Sequence, residues 1–302
     1  MMKGNITFAP IIVFAFNRTE SICRLIESLL TNEEAPKSDV FVFVDGPRKN
    51  KNEKRAVYKV QEYVKTITGF RSVQYFFSSQ NKGLGNSIIT GVGKIINKYG
   101  KAIVLEDDLI CSRNFLAFMN QALDIYEKDD NVFSVCGYSN IVKQPKNYIY
   151  DAYACVRSSS WGWATWKDRW ESVDWELNDW EYCVKNKKSF NIWGGSDCFN
   201  MLRGWKKGRN KSWAIRFCYS QFIQNKVAIF PFISKISNEG FDGSGTNCKK
   251  FNRFKCCFDQ TGIKVFSWPK DTRIIDSIKK SAISYHSIYK RIYSKLMYML
   301  KK

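Results

Sequence analysis

Three acidic residues in a row, Glu106-Asp107-Asp108, follow directly on the apolar run Ala102 to Leu105. Crowded carboxylates disfavour one another's ionisation, so the cluster is costly unless a cation sits against it. A hard divalent ion such as Mg²⁺ or Mn²⁺ suits that need, because it takes one or two carboxylates and fills its shell with water and phosphate oxygens. The same residues could instead open a helix, since acidic side chains favour helix N-termini and Cys111-Ser112-Arg113 comes next. Further candidates are Asn17 and Arg18, then Asp45 in Asp45-Gly46-Pro47, then Asn81-Lys82-Gly83-Leu84-Gly85. Each has a plain reading as well: an N-cap, a turn, a loop at a helix entry. Asp168, Asp197 and Asp242 offer carboxylates for general-base work on a hydroxyl. Asp168 lies between Lys167 and Arg169 and reads equally as a surface ion pair.

The elements that must position these residues follow from hydrophobic period. Ile11 to Phe16 predicts a buried strand, and Ile22, Leu25, Ile26 and Leu29 recur at helical spacing behind it. Val40 to Val44 repeats the strand signal, and Val57, Val60, Val64 and Ile67 repeat the helix stripe. Ser72 to Phe77 is a third strand. Ile88, Ile89, Val92, Ile95, Ile96 and Tyr99 then make a third helix, with Gly100 as its C-cap. Ala102 to Leu105 is the fourth strand. Alternation of this kind predicts a mostly parallel sheet covered on both faces, with ligands bound beyond the carboxyl ends of the strands. Asn17, Asp45, Asn81 and Asp107 all fall there. A dinucleotide dehydrogenase fits poorly, because its glycine fingerprint belongs after the first strand, where this chain has Phe16-Asn17-Arg18-Thr19.

From about Asp151 the periodicity weakens, and eight of the ten tryptophans crowd into residues 161 to 205. Such rings serve a core, or they stack on the apolar faces of sugars; Trp161, Trp163 and Trp166 are read as a mixture of both. With 302 residues and 44% apolar content the chain has ample material for a core. It is read as one catalytic domain over 1–276, followed by a basic amphipathic helix over 277–302.

The formal charge is +20, from 48 Lys and Arg against 28 Asp and Glu. Nucleic acid, an anionic membrane and an anionic nucleotide all answer to that field. A nucleic-acid-binding protein has no use for the acidic triplet, and a non-catalytic carbohydrate-binding protein has no use for a metal–diphosphate site. Ten cysteines without a C-x-x-C pair, and a single histidine, His286, speak against a zinc site. No stretch of 18 apolar residues and no signal sequence is seen, so the expected location is cytoplasmic. Beyond Asp276 there is no acidic residue, and Ile288, Ile292, Leu296 and Met299 share a stripe beside Lys290, Arg291, Lys295, Lys301 and Lys302. That stripe either packs on the domain or lies on the inner face of the cytoplasmic membrane.

Together, Ala15-Phe16-Asn17-Arg18, Asp45, Asn81 to Gly85 and Glu106-Asp107-Asp108 resemble the GT-A fold glycosyltransferases over about residues 8 to 140. The triplet resembles the Glu-Asp-Asp form of their DXD motif in N-acetylglucosaminyltransferase I. Arg157, Trp161-Gly162-Trp163-Ala164-Thr165-Trp166, Ser212 to Arg216 and Gly240 to Thr246 are similar to bacterial family-2-like surface-polysaccharide glycosyltransferases. The resemblance implies a Rossmann-like α/β sheet with a donor half, and a loop-rich, Trp-rich acceptor half over about 141–276. It implies an inverting transfer from a nucleotide-diphosphate sugar, UDP-sugar favoured, to a glycan or lipid-linked hydroxyl in surface polysaccharide (lipopolysaccharide or capsule) synthesis. Asn17, Arg18 and Asp45 would meet the nucleoside, and Asn81, Lys82 and Gly83 would line its pocket. Glu106 would touch the sugar, Asp107 would orient the ribose and metal shell, and Asp108 would ligate Mn²⁺ or Mg²⁺, with Asp107 beside it. Trp161, Gly162 and Trp163 would line the donor-sugar cleft. For the base, Asp242 ranks ahead of Asp168 and Asp197, because Ala214 and Ile215 stand where the related enzyme carries acidic residues.

Overall fold

Side-chain alternation along the first strand sets the layers of the molecule. In the computed structural model, which describes residues 8–48, 50–140, 142–240, 254 and 256–300, Ile11, Val13 and Ala15 of β1 (Ile11–Ala15) enter one apolar layer, and Ile12 and Phe14 enter the other. The first layer is closed by α1 (Thr19–Leu30), α2 (Lys51–Lys65) and α4 (Phe115–Ile125). The second is closed by α3 (Leu84–Tyr99) and α9 (Trp213–Ile223). Strands buried on both faces carry continuous apolar runs, which is why β1, β2 (Asp39–Val44) and β4 (Lys101–Glu106) stand out in the sequence. Gly100 ends α3 with φ of 79°, donating to the Ile96 carbonyl, as expected of a glycine C-cap.

The remaining strands are β3 (Ser72–Phe77), β5 (Leu109–Cys111), β6 (Val132–Cys136), β7 (Ala152–Cys155), β8 (Trp163–Trp166), β9 (Val227–Pro231) and β10 (Ile236–Asn238). Of the ten strands among the described residues, eight form one sheet in the order β3-β2-β1-β4-β8-β6-β9-β7, while β5 pairs with β10. From β3 to β4 all pairings are parallel. β8 runs against both β4 and β6, β6 and β9 are parallel, and β7 is antiparallel at the edge. The mostly parallel sheet flanked by helices is the architecture expected from the alternation, and β4 and β6 end on the same edge.

Between β8 and β9 the chain forms α5 (Lys167–Glu171), α6 (Trp180–Lys185), α7 (Lys187–Gly194) and α8 (Cys198–Lys206) ahead of α9. The tryptophans here are chiefly core. Trp163 stacks on Trp213 and Trp170 at centroid distances of 4.8 and 5.6 Å, and Trp166 donates its indole N–H to the Leu123 carbonyl at 3.1 Å.

After β10 the chain returns along α4. Tyr126 donates to the Pro269 carbonyl at 2.8 Å, and Trp268 packs on Phe118. Its anchor is a buried ion pair between Lys235 and Asp259, with Asn114 donating a further hydrogen bond to Asp259 at 3.0 Å. Where one basic helix is expected over 277–302, the described chain forms two, α10 (Asp276–Ser284) and α11 (Ile288–Leu300). The break covers Tyr285 to Ser287, and α10 buries Ile278 against the layer containing Tyr153 of β7.

Against the cost of its burial, hydrogen bonds from Lys235, Asn114 and Thr261 hold the Asp259 carboxyl well below its ordinary range. A carboxylate whose folded pKa is depressed contributes stability that is present above its unfolded pKa and lost as pH falls. Asp259→Ala leaves Lys235 buried without its partner and should cost about 3 kcal/mol or more at pH 7. In urea unfolding the gap between parent and variant should be wide at pH 7 and should narrow below about pH 4, the unfolded value of an aspartate.

Candidate active site

β4 carries Glu106 to the carboxyl edge of the sheet, with β1 alongside it and Phe14 in register with Glu106. Neighbouring strands lie about 4.8 Å apart, so the residues after β1 stand next to the acidic triplet. Arg18, the N-cap residue of α1, turns its guanidinium onto it. Its Nη2 donates to Asp107 Oδ1 in a very short ion pair and to Asp108 Oδ2 at 3.1 Å. The Phe16 N–H approaches the second Asp107 oxygen at 3.4 Å. Asp107 is only 4% exposed, and both of its oxygens have partners. Burial first, then the charges of Asp108 and Asp107, pushes the Glu106 carboxyl up to about 8. Burial likewise lifts Asp107 to about 6, against the pull of Arg18.

Asp108 differs from its neighbours. Its Oδ1 is buried and has no hydrogen-bond partner among the described residues. The strand pair β5–β10, with Asn238 opposite Leu109, folds the following backbone over it. Glu239 N–H donates to the Asp108 carbonyl at 2.9 Å, and a Cβ placed on Gly240 would stand 2.4 Å from Asp108 Oδ2. Only glycine allows the chain to pass there without displacing the carboxylate. A divalent cation bound together with a diphosphate needs one or two protein carboxylates, and the open oxygen of Asp108 meets that requirement. Among the described residues no three His, Cys, Asp or Glu side chains converge to hold an ion by themselves.

The loops after β2 and β3 are tied together by Asp45. Its Oδ1 accepts from the backbone N–H groups of Gly46 and Lys82, and its Oδ2 accepts from Gly83 N–H, each at 2.9 Å. The Asn81 amide donates to the Gly46 carbonyl, also at 2.9 Å. Most of the Asp45 lone pairs therefore serve to hold Asn81, Lys82 and Gly83 at the entry of α3. Exposed Lys82 and Lys211 flank that entry, where the Lys211 segment packs on Gly83 and Gly85. Asn17, half-buried, lies between β1 and α1, and its side chain makes no hydrogen bond to the described residues.

The second half needs three corrections. Trp163 is 1% exposed, with its faces against Trp170 and Trp213, and has no surface left for a sugar. Asp168 is 62% exposed and pairs with Arg169. It follows Trp166, which pairs with Lys101 at the start of β4, so it sits at the sheet edge opposite the triplet. Asp197 is held by Arg157 in a two-point ion pair at 2.7 and 3.1 Å. Against burial, those bonds bring its carboxyl down to about 2, which leaves a poor base. Asp242 lies outside the described residues.

Trp161 and Gly162 are placed differently from Trp163. Gly162 is buried, and its carbonyl accepts from Gly137 N–H at 2.6 Å. Trp163, the first residue of β8, pairs with Val104 near the end of β4, so the segment of Trp161 and Gly162 that leads into β8 lies toward the same sheet edge as the triplet. Trp161 is half-buried and walls a cavity of about 200 Å³ together with Tyr138, Tyr153, Arg157, Phe230 and His286. The sequence alone did not reveal this cavity, the closure of Gly240 over Asp108, or the approach of Lys211 to α3. All three depend on contacts between residues far apart in the chain, and no short motif encodes them.

The family model for glycosyl transferase family 2 matches residues 11–204, more than half of the chain. Over 206 residues the chain is 22% identical to an alpha-1,3-mannosyl-glycoprotein 2-beta-N-acetylglucosaminyltransferase of Arabidopsis thaliana, covering 61% of this chain and 44% of that protein. It is also similar to the crystal structure of S. aureus TarS, at 9% identity and a TM-score of 0.37, over 74% of this chain and 37% of that one. The chain thus spans less than half the length of these relatives.

Asp45→Ala strands three backbone donors that the carboxylate now satisfies, and unfolding in urea should show a loss of about 2 kcal/mol. Asp168→Asn, on the exposed opposite edge, should stay within about 0.5 kcal/mol of the parent.

Proposed function

Since this chain belongs to glycosyl transferase family 2 and is a glycosyltransferase, we propose that it moves a sugar from a nucleoside diphosphate to a glycan or lipid-linked hydroxyl, with a divalent metal at Asp108. The observation that carries this reading is the buried, unpartnered Oδ1 of Asp108 at the end of β4, next to a cation-lined loop pair. Members of this family commonly depend on a divalent metal. When bound, Mn²⁺ or Mg²⁺ would act as a Lewis acid that neutralises charge on the departing diphosphate.

The chain's own residues do the rest. Asp45 fixes the loop of Asn81, Lys82 and Gly83 as one wall of the nucleotide pocket, and Asn17 offers a free amide from the other side. Lys82, Lys211 and the N-terminus of α3 favour the phosphates. Asp107 holds Arg18, and Glu106, half-buried at the sheet edge toward which Trp161 lies, faces the sugar. The cavity beside Trp161 receives the acceptor, whose hydroxyl loses its proton to a carboxylate on the side opposite the leaving group, giving inversion. Asp242, two residues beyond Gly240, is the proposed base.

Uridine is the favoured nucleoside, and the name of the Arabidopsis relative makes an N-acetylhexosamine the first sugar to test. We assign the protein to bacterial surface-polysaccharide synthesis at the inner face of the cytoplasmic membrane. No helix among the described residues is long and apolar enough to cross a membrane. α11, however, exposes Ile288, Tyr289, Ile292, Tyr293 and Leu296, with Tyr289 81% exposed. Lys290 and Arg291 flank that stripe, and each cation near an anionic leaflet adds about 1 kcal/mol of attraction.

Thermal shift with Mn²⁺ and a panel of uridine, guanosine, cytidine and thymidine diphosphate sugars should pick out one nucleoside. Transfer from that donor should fall by about 10²-fold or more in Asp108→Ala; an unimpaired variant would rule out the metal reading. Ile292→Asp should release the protein from vesicles containing anionic lipid in a sedimentation assay while leaving its binding of nucleotide intact. Undiminished sedimentation would count against the membrane contact.

A further inference from the structure

The geometry points to Arg18 as a resident counter-cation that keeps metal off Asp108 until a diphosphate draws the guanidinium away. This rests on the metal reading of Asp108, and adds that metal and diphosphate must bind cooperatively because one side chain stands between them.

Arg18 leaves β1 and reaches across to the end of β4, where one nitrogen serves Asp107 Oδ1 and Asp108 Oδ2 together. Asp107 spends both oxygens on Arg18 and the Phe16 amide, so it functions as the socket for the guanidinium. Asp108 gives Arg18 one oxygen and holds the other buried and unpartnered. A metal ion arriving alone would have to share Asp108 with a guanidinium already bonded to it, and two cations on one carboxylate repel.

A diphosphate changes that balance. The planar guanidinium binds phosphate oxygens in the same two-point manner as carboxylates, and a nucleotide between Arg18 and Lys82 offers it an alternative anion. The Arg18 side chain is 23% exposed and can be reached from solvent, whereas Lys235 in its buried pair is 6% exposed. Turning toward phosphate, Arg18 can keep Asp107 and release Asp108 Oδ2, so the carboxylate then offers both oxygens to the metal. No covalent change is involved; the step is an exchange of ion-pair partners. Each ligand favours the rearranged state, so by linkage each tightens the other, and couplings of this kind are about 5- to 150-fold.

The test is a titration of the full chain with Mn²⁺ alone, read from the electron paramagnetic resonance signal of the free ion. The parent should bind weakly. Arg18→Met keeps the aliphatic stem and removes the charge, and should bind Mn²⁺ alone roughly tenfold more tightly or better. Arg18→Gln, neutral but still able to donate to Asp107, should show the same direction and guards against a folding failure in the methionine variant. Adding Asp108→Ala to either variant should abolish the gain. Both variants binding Mn²⁺ no better than the parent, or a gain that survives Asp108→Ala, would overturn the role of Arg18. The two readings fail separately: transfer that survives Asp108→Ala removes the metal site itself, whereas an Asp108-dependent transfer with unchanged Mn²⁺ affinity in the Arg18 variants removes only the gate.

Discussion

Carboxylates in sequence at a buried strand end cannot all ionise without a cation, and the rest of this site is arranged around that constraint. Arg18 meets part of it from the neighbouring strand. For Arg18 to do so, β1 and β4 must be adjacent and parallel, so that both chains leave the sheet at one edge. α1 must also begin at once after β1, which puts Arg18 at its N-cap rather than further along the helix. The apolar alternation of β1 and the stripe of α1 are in this sense requirements of the electrostatics. The packing on both faces of the sheet holds two strand ends rigidly enough for a guanidinium to bridge them.

Residue type alone does not make such a site, and the opposite edge of the same sheet shows why. Asp39 at the start of β2 is bonded by Arg71 and Ser72, another aspartate and arginine brought together by parallel strands. There the arginine is half in water, and its hydrogen bond lowers the Asp39 carboxyl below its usual range. Asp107, with an arginine just as near, is raised instead, because burial outweighs the pair. At the amino edge the ion pair only ties β2 to β3. At the carboxyl edge loops diverge, the chain of Gly240 closes overhead, and the same chemistry is left with an unsatisfied oxygen.

The first half of the molecule was legible because β1, β2 and β4 are buried on both faces and its helices carry single stripes. Each of β1 to β4 and α1 to α3 lies where hydrophobic period puts it, and the loops that collect Asn17, Asp45, Asn81 and Asp107 follow from parallel order. What those residues do to one another was not legible. Asp45 reads as a turn residue or a ligand contact, and only the structure shows three backbone amides converging on it. Beyond Asp151 the strands are short, their spatial order departs from their order in sequence, and aromatic residues dominate. Period cannot then separate Trp163, enclosed by two indoles, from Trp161, which walls a cavity two residues earlier. Nor can it separate Asp197, bound to an arginine forty positions away, from a carboxylate free to act as a base.

The C-terminal segment joins the two features that the sequence left most open. Ala282 and Ile283 at the end of α10, and His286 in the break after it, form part of the cavity wall beside Trp161. Ser196 donates to the His286 carbonyl at 3.1 Å and fastens that break to the turn before α8. The exposed stripe of α11 begins at Ile288, two residues on, a span of about 7 Å even if fully extended. The exposed stripe of α11 is therefore held close to the cavity by covalent connection, next to the strap anchored by Lys235 and Asp259. On the proposed function, a hydroxyl acceptor carried on a lipid would meet the exposed stripe of α11 first and then the cavity walled by His286 and Trp161.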